Sequence, residues 1–169
     1  MKYEFTRPER FISGTVGEPG QRAFYLQARS GSRLISVAVE KAQVQALCAR
    51  MDMMIAEIRK NSPLITIEKV AADDKPLESP VDAEFQVGAI SIAWDEDSQL
   101  ICVEFFELED DEEDAEGERL EINLSVGMAA AFAIRSKAVV NAGRVPCPFC
   151  GMPIDPRGHL CPRANGYRR

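Results

Sequence analysis

The sequence predicts an α+β domain in which duplicated βββα units form a largely antiparallel sheet covered by two helices. Three observations predict it. Each of two helix-period segments follows three short strand-like segments, the apolar spacing changes abruptly from alternation to a helical period where each helix begins, and the two runs align at an offset of 85 residues. At that offset Ile35, Val37, Val39, Ala46, Leu47 and Arg50 meet Leu120, Ile122, Leu124, Ala131, Phe132 and Arg135. Strands followed by helices share such patterns by chance, so the alignment leaves duplication and coincidence both open. The domain is expected over residues 1–143, with units at about 5–60 and 85–142, followed by a distinct tail over residues 144–169.

The elements follow in order. Residues 11–16 read as a short strand ended by Gly17-Glu18-Pro19-Gly20, where Pro fixes φ and Gly admits positive φ. Residues 23–28 are aromatic-rich and strand-like, Ser30-Gly31-Ser32 turns the chain, and residues 34–39 are a buried strand. From residue 40 to about 59 the apolar positions are Val44, Leu47, Cys48, Met51, Met54, Ile55 and Ile58, one face of a helix that Asn61-Ser62-Pro63 ends. Residues 64–84 are mixed: a short strand is conceivable at 64–70, and Asp73-Asp74-Lys75-Pro76 and Ser79-Pro80 look like loop. Strands then return at residues 85–94, 100–108 and 119–124, with a turn at Asp95-Glu96-Asp97-Ser98. Ser125 is the expected N-cap of an Ala-rich helix over residues 126–141, and Gly143 suits its C-cap. So little of that helix is polar that it should be buried.

The chain has 169 residues, 46% hydrophobic and 28% charged, enough to bury a real core and too apolar for wholesale disorder. Its net charge of -7 is unevenly placed. Nine acids and no bases lie over residues 107–118, expected as a solvated loop between the last two strands. Residues 143–169 run the other way, with five Arg and one Asp, a local +4. The body is therefore near neutral. The longest apolar run, residues 126–134, is nine residues, against roughly 20 needed to span a bilayer, so no membrane segment is expected. The first residues lack the apolar core of a signal peptide, and the cytoplasm is the expected compartment. Five cysteines, an odd number unevenly spaced, then favour metal binding or buried thiols over disulfides. Cys48 and Cys102 read as core thiols, Trp94 as a strand-end core residue, and Met51, Met53 and Met54 mostly as helix core. The glycines of residues 14–22 superficially suggest a phosphate loop but lack its Gly-Lys-Ser/Thr ending, and a hairpin is expected.

Chemistry concentrates in the tail. Cys147-Pro148-Phe149-Cys150-Gly151 has the form of a zinc knuckle: two thiolates two residues apart grip one ion while Gly supplies the turn. With His159 and Cys161 the pattern is CxxC-x8-HxC, a Cys3His set for one tetrahedral Zn2+. The HxC spacing is tight, so Asp155 or water is the alternative fourth ligand. The alternative for the whole set is free thiols, which leaves the clustering unexplained. Four protein ligands leave no open position for a substrate, so the zinc is expected to be structural rather than catalytic. Arg144, Arg157 and Arg163 can offset the charge of three thiolates.

The ending CPFCGMPIDPRGHLCPRANGYRR, with RFISGTVGEPGQRAFYLQAR and RLISVAVEKAQV, resembles the actinobacterial DUF3090 family over most of the chain. The resemblance implies a bacterial, cytoplasmic protein and agrees with internal repetition. It supports Cys147, Cys150, His159 and Cys161 as a unit and implies no activity. Genomic neighbours resembling a kinase and a phosphomutase make a protein partner reasonable. Three function classes follow. The first is a non-enzymatic interaction protein presenting a zinc-stapled basic tail to another protein. The second is nucleic-acid binding through that tail, whose arginines and Tyr167 suit phosphates and bases. The third is an enzyme with a pocket between the repeats, where Arg22, Arg50 and Arg135 are the obvious polar groups. No catalytic residue is assigned.

Overall fold

A computed structural model describes residues 1–18, 20–109 and 117–142. Among these residues seven strands and two helices follow in the order β1 (Lys2–Thr6), β2 (Arg10–Val16), β3 (Ala23–Ser30), β4 (Arg33–Val39), α1 (Lys41–Asn61), β5 (Ala83–Asp95), β6 (Leu100–Glu107), β7 (Arg119–Leu124) and α2 (Val126–Asn141). The strands form one sheet in the order β1-β7-β6-β5-β4-β3-β2. Within β2-β3-β4 and within β5-β6-β7 neighbours are antiparallel, each joined to the next without a crossover helix. The junctions β4/β5 and β1/β7 are parallel, so the sheet is mixed rather than largely antiparallel. The cause at β4/β5 is the connection: α1 and the segment after it carry the chain back to the end where β4 began, which a hairpin cannot do.

β1 was not expected from the sequence. Its side chains alternate, with Phe5 buried and Lys2, Glu4 and Thr6 exposed, but its partner β7 lies more than a hundred residues downstream. β1 and β2 are the two edges of the sheet, yet only Arg7, Pro8 and Glu9 separate them. Four peptide steps reach roughly 14 Å, whereas a flat sheet of this strand number would be about 29 Å across. The sheet must therefore coil. It does: the ring of Phe11 on β2 lies 6.1 Å from that of Phe105 on β6, and 4.6 Å from Phe132 of α2, stacked. The helices occupy the inside of this coil. Phe11, Leu26, Val37, Val103, Phe105, Leu120 and Ile122 meet Leu47, Met51, Ile55, Ala129, Phe132 and Ala133 in one apolar core.

α1 and α2 pack side by side and run the same way, since Cys48 Sγ meets the Ala133 carbonyl and, one turn further on, Lys137 pairs with Asp52. α1 also packs on β5 and α2 on β2. The apolar face read in the sequence is the buried one, with Val44, Leu47, Cys48, Met51, Ile55 and Ile58 all inside; Met54 is half-buried and Met53 lies in solvent. Glu40 N donates to Gln43 Oε1 at the start of α1, while Gln43 Nε2 donates to the carbonyls of Val87 and Gly88, tying the helix to the irregular start of β5. Ser125 caps α2 as expected, accepting from Met128 N at 3.2 Å. The C-cap is Ala142, and Gly143 lies outside the described residues. Trp94 packs against the core, and residues 14–18 and 20–22 lie on the β2-β3 hairpin.

Residues 62–82 form no strand. They act as a strap that leaves α1, crosses the start of α2 and runs over the outer face of β2-β3-β4. Because the strap crosses elements instead of lying beside one, side chains and not a ladder satisfy its backbone: Glu78 N donates to Gln27 Oε1 at 2.7 Å, and Gln27 Nε2 donates to Glu78 O at 2.9 Å. Gly14 is required beneath it, since a Cβ there would lie 2.5 Å from Leu77 Cγ.

Candidate functional site

Three charged side chains from distant parts of the chain converge where the strap passes between β2 and α2. Arg10 opens β2, Asp73 belongs to the strap, and Arg135 lies in the middle of α2. Arg10 grips the Asp73 carboxylate with both arms of its guanidinium, Nε to Oδ2 at 2.6 Å and Nη2 to Oδ1 at 2.9 Å. Its Nη2 also donates to the carbonyls of Lys75 and Pro76, both at 2.9 Å. Arg135 donates Nε to the Ser13 carbonyl at 2.8 Å and Nη1 to the Asp73 carbonyl at 2.7 Å, with Asp73 Oδ1 3.4 Å away. One carboxylate thus joins two guanidiniums whose side chains are only 10% and 9% exposed.

The electrostatics follow from those contacts. Hydrogen bonding from Arg10, aided by the Lys75 N–H and the charges of Arg10 and Arg135, outweighs burial and holds the Asp73 carboxyl at about 2. The bond to Asp73 raises Arg10, and burial lowers Arg135. Around the cluster, Arg29 pairs with Glu9 at 2.7 Å and Glu78 at 3.0 Å. Ser13 and Ser136 share a buried hydrogen bond at 2.7 Å. The cleft beside the cluster holds about 110 Å³ and is closed by Phe11, Ile12, Val70, Met128 and Phe132. That is small against the roughly 300 Å³ or more of ordinary ligand pockets, but a larger hollow of about 590 Å³ adjoins the same cluster, lined by Arg10, Arg29, Asp73, Asp74, Lys75 and Glu78. Every charged side chain lining the smaller cleft is paired within the protein. The arrangement pins the strap and the edge strand β2 to α2.

The sequence-expected residues fall as follows. Cys147, Cys150, His159 and Cys161, with Asp155 and the tail arginines, lie outside the described residues. Of the three arginines considered for a pocket, Arg135 is in the cluster, Arg50 is exposed on α1, and Arg22 lies 5.6 Å over the Phe24 ring near the end of α2. They do not come together. Cys48 is buried between the helices as expected, and burial pushes its thiol up. Cys102 is no core thiol: β6 turns it outward, where alternation puts every second side chain, and it sits half-buried beside Glu104 and Glu121. The ligand atoms of these three lie within 4.8 Å of one another. Burial, then the charges of Glu121 and Glu104, push the Cys102 thiol up to about 11. The acidic stretch joins β6 to β7; its residues 110–116 lie outside the described residues, and at its two ends Glu118 N donates to Glu107 Oε2 at 2.8 Å.

Fold and cluster together define an α+β protein built on a coiled, seven-stranded mixed sheet whose buried polar centre latches a crossing strap. No helix among the described residues is long and apolar enough to cross a membrane. The chain belongs to the family described as protein of unknown function (DUF3090), whose model matches residues 3–161. No curated protein and no solved structure matches it.

Proposed function

We propose that this chain is a non-enzymatic, zinc-containing interaction protein. Its α+β body and the basic residues 144–169, stapled by a structural Zn2+ on Cys147, Cys150, His159 and Cys161, together present a surface to another protein. The observation that carries this reading is the clustering of three thiols, one imidazole and a +4 charge within the last 27 residues. Three thiolates and one imidazole suit a tetrahedral zinc and leave no open position for chemistry. A segment whose apolar residues are mainly Phe149, Ile154, Leu160 and Tyr167 needs the ion to fold. The body fits a scaffold too, since Arg10, Asp73 and Arg135 are bound to one another.

We further infer that the two βββα runs are copies of one unit. Setting β4 against β7 at the offset of 85 residues places the register row Phe11, Ala28 and Ile35 against the row Ile90, Phe105 and Leu120. Cys48–Ala133 and Asp52–Lys137 are contacts between positions separated by that same offset. α1 on β5 and α2 on β2 are the two equivalent packings such a pair would make.

Metal analysis tests the zinc site. Full-length protein purified without chelator should carry one zinc per chain, and Cys147→Ser should lose it; zinc-free wild-type protein overturns the site. Affinity purification of the same two proteins tests the partner. A protein bound stoichiometrically by the wild type and lost from the variant supports the reading, whereas single-stranded RNA released by salt transfers it to nucleic-acid binding.

A further inference from the structure

Strand register makes the two halves of the sheet directly comparable. Ile12, Gln27 and Ser36 form a row across the outer face of β2-β3-β4, and Ser91, Glu104 and Glu121 form the matching row across β5-β6-β7. The first row is sealed, with Ile12, Gln27 and Ser36 only 2%, 2% and 3% exposed, because the strap lies over it. The second is open among the described residues. The side chains of Glu104 and Glu121 keep 25% and 15% exposure, Ala89, Ser91 and Ala93 are exposed, and β1 extends the face with Lys2, Glu4 and Thr6.

We propose that residues 143–169 cover this second face, lying along the outside of β5-β6-β7-β1 as residues 62–82 lie along β2-β3-β4. Origin and reach are the first support. The strap starts where α1 ends and meets Gln27 through Glu78, 17 residues past Asn61. Residues 143–169 start where α2 ends, beside α1 and running the same way, and number 27. Charge is the second. The strap carries five acids and two Lys and lands on Arg10 and Arg29. The tail carries five Arg and one Asp, and the face it would meet presents Glu4, Glu104 and Glu121. The third is the cost of leaving that row bare. Glu121 is the direct cross-strand partner of both Glu104 and Glu4, a like-charge arrangement that destabilises a sheet. Lys2 and Arg119 offset it only in part, Lys2 at 3.5 Å from Glu4 and from Glu121, and Arg119 at 3.3 Å from Glu104. Guanidiniums laid across the row complete the neutralisation. The inference rests on register and charge and does not require zinc.

The test places the photo-crosslinking amino acid p-benzoylphenylalanine at Ala93 in the full-length chain, with a control at Ala56 on the exposed side of α1. Irradiation and peptide mapping should give monomer-mass products joining position 93 to residues 143–169, absent from the Ala56 control. Reversing the face (Glu104→Lys with Glu121→Lys) or, leaving the body untouched, the tail (Arg157→Glu with Arg163→Glu) should cut the yield about fivefold or more. Dimer-mass products would assign the face to a second copy and overturn the proposal. So would an absence of tail products, or a yield indifferent to both reversals. Zinc content, measured on the same samples, reports separately on the metal site.

Discussion

Replacing Asp73 with Asn removes one negative charge from between two guanidiniums while keeping the side chain's size. The wild-type carboxyl stands at about 2 in the folded protein against an ordinary 3.8. At 1.36 kcal/mol per pKa unit that difference is worth about 2.4 kcal/mol, trimmed to about 2 because the Asp73 side chain is 28% exposed and partly screened. The variant should lose at least this much at pH 7. It also leaves Arg10 and Arg135 close together without their shared counter-charge, which pushes the loss toward the 3–5 kcal/mol of broken buried pairs, on the order of 3 kcal/mol here. The pH dependence carries the sharper test. A carboxyl whose pKa is depressed by folding contributes its full stability above the unfolded value of 3.8, and the contribution disappears as pH falls through about 2. Urea unfolding at pH 7, 5, 4, 3 and 2.5 should therefore show the gap between wild type and Asp73→Asn constant down to pH 5 and shrinking below it. Equal stabilities at pH 7, or a gap that stays constant down to pH 2.5, would refute the latch.

Two further substitutions probe the fold that holds the latch. Gly127→Ala places a Cβ 2.2 Å from the Glu68 carbonyl oxygen, so the strap must lift or the first turn of α2 must shift. Although Ala is better than Gly in a helix by about 1 kcal/mol, the variant should be less stable by roughly 1–3 kcal/mol, with faster proteolysis near residues 65–70; a more stable protein would show that the strap does not sit there. Phe105→Ala empties a fully buried position facing Phe11 across the coiled sheet, and should cost about 3–5 kcal/mol by chemical denaturation. A loss under 1 kcal/mol would mean that the two walls of the coil do not meet.

Most of the secondary structure was legible because its causes are local. Val44, Leu47, Cys48, Met51, Ile55 and Ile58 repeat at a helical period within one stretch of chain, and the six strands from β2 to β7 are short apolar or alternating runs bounded by turns. β1 escaped because what makes it a strand is remote: Phe5 is buried only against a sheet completed by Ile122, its register partner in β7. The latch escaped for the same reason, since Arg10 and Asp73 are 63 residues apart and Asp73 and Arg135 are 62. One signal did point to it. Arg135 stands on a helix too apolar to be exposed, and a guanidinium buried with such a helix demands an acid from elsewhere in the chain. The outward Cys102 could also have been found, because the alternation of β6 places Val103 and Phe105 inside and therefore Cys102 and Glu104 outside.

The same remoteness explains how the sheet handles its edges. β2 and β7 run in the same direction, as β4 and β5 do, and β4 and β5 pair directly. Between β7 and β2 the pairing is not repeated, because β1 lies alongside β7 and passes the chain to β2 through Arg7, Pro8 and Glu9, with Arg7 at φ 49° making the turn. β1 thus covers an edge of β7 that would otherwise offer its backbone to another chain. β2 is then the remaining long edge, and it is here that Arg135 takes the Ser13 carbonyl and Arg10 holds the strap. The latch and β1 therefore act at opposite margins of a coiled sheet that does not close: β1 replaces the edge of β7 with a strand of only five residues, and Arg10 and Arg135 occupy the edge at β2.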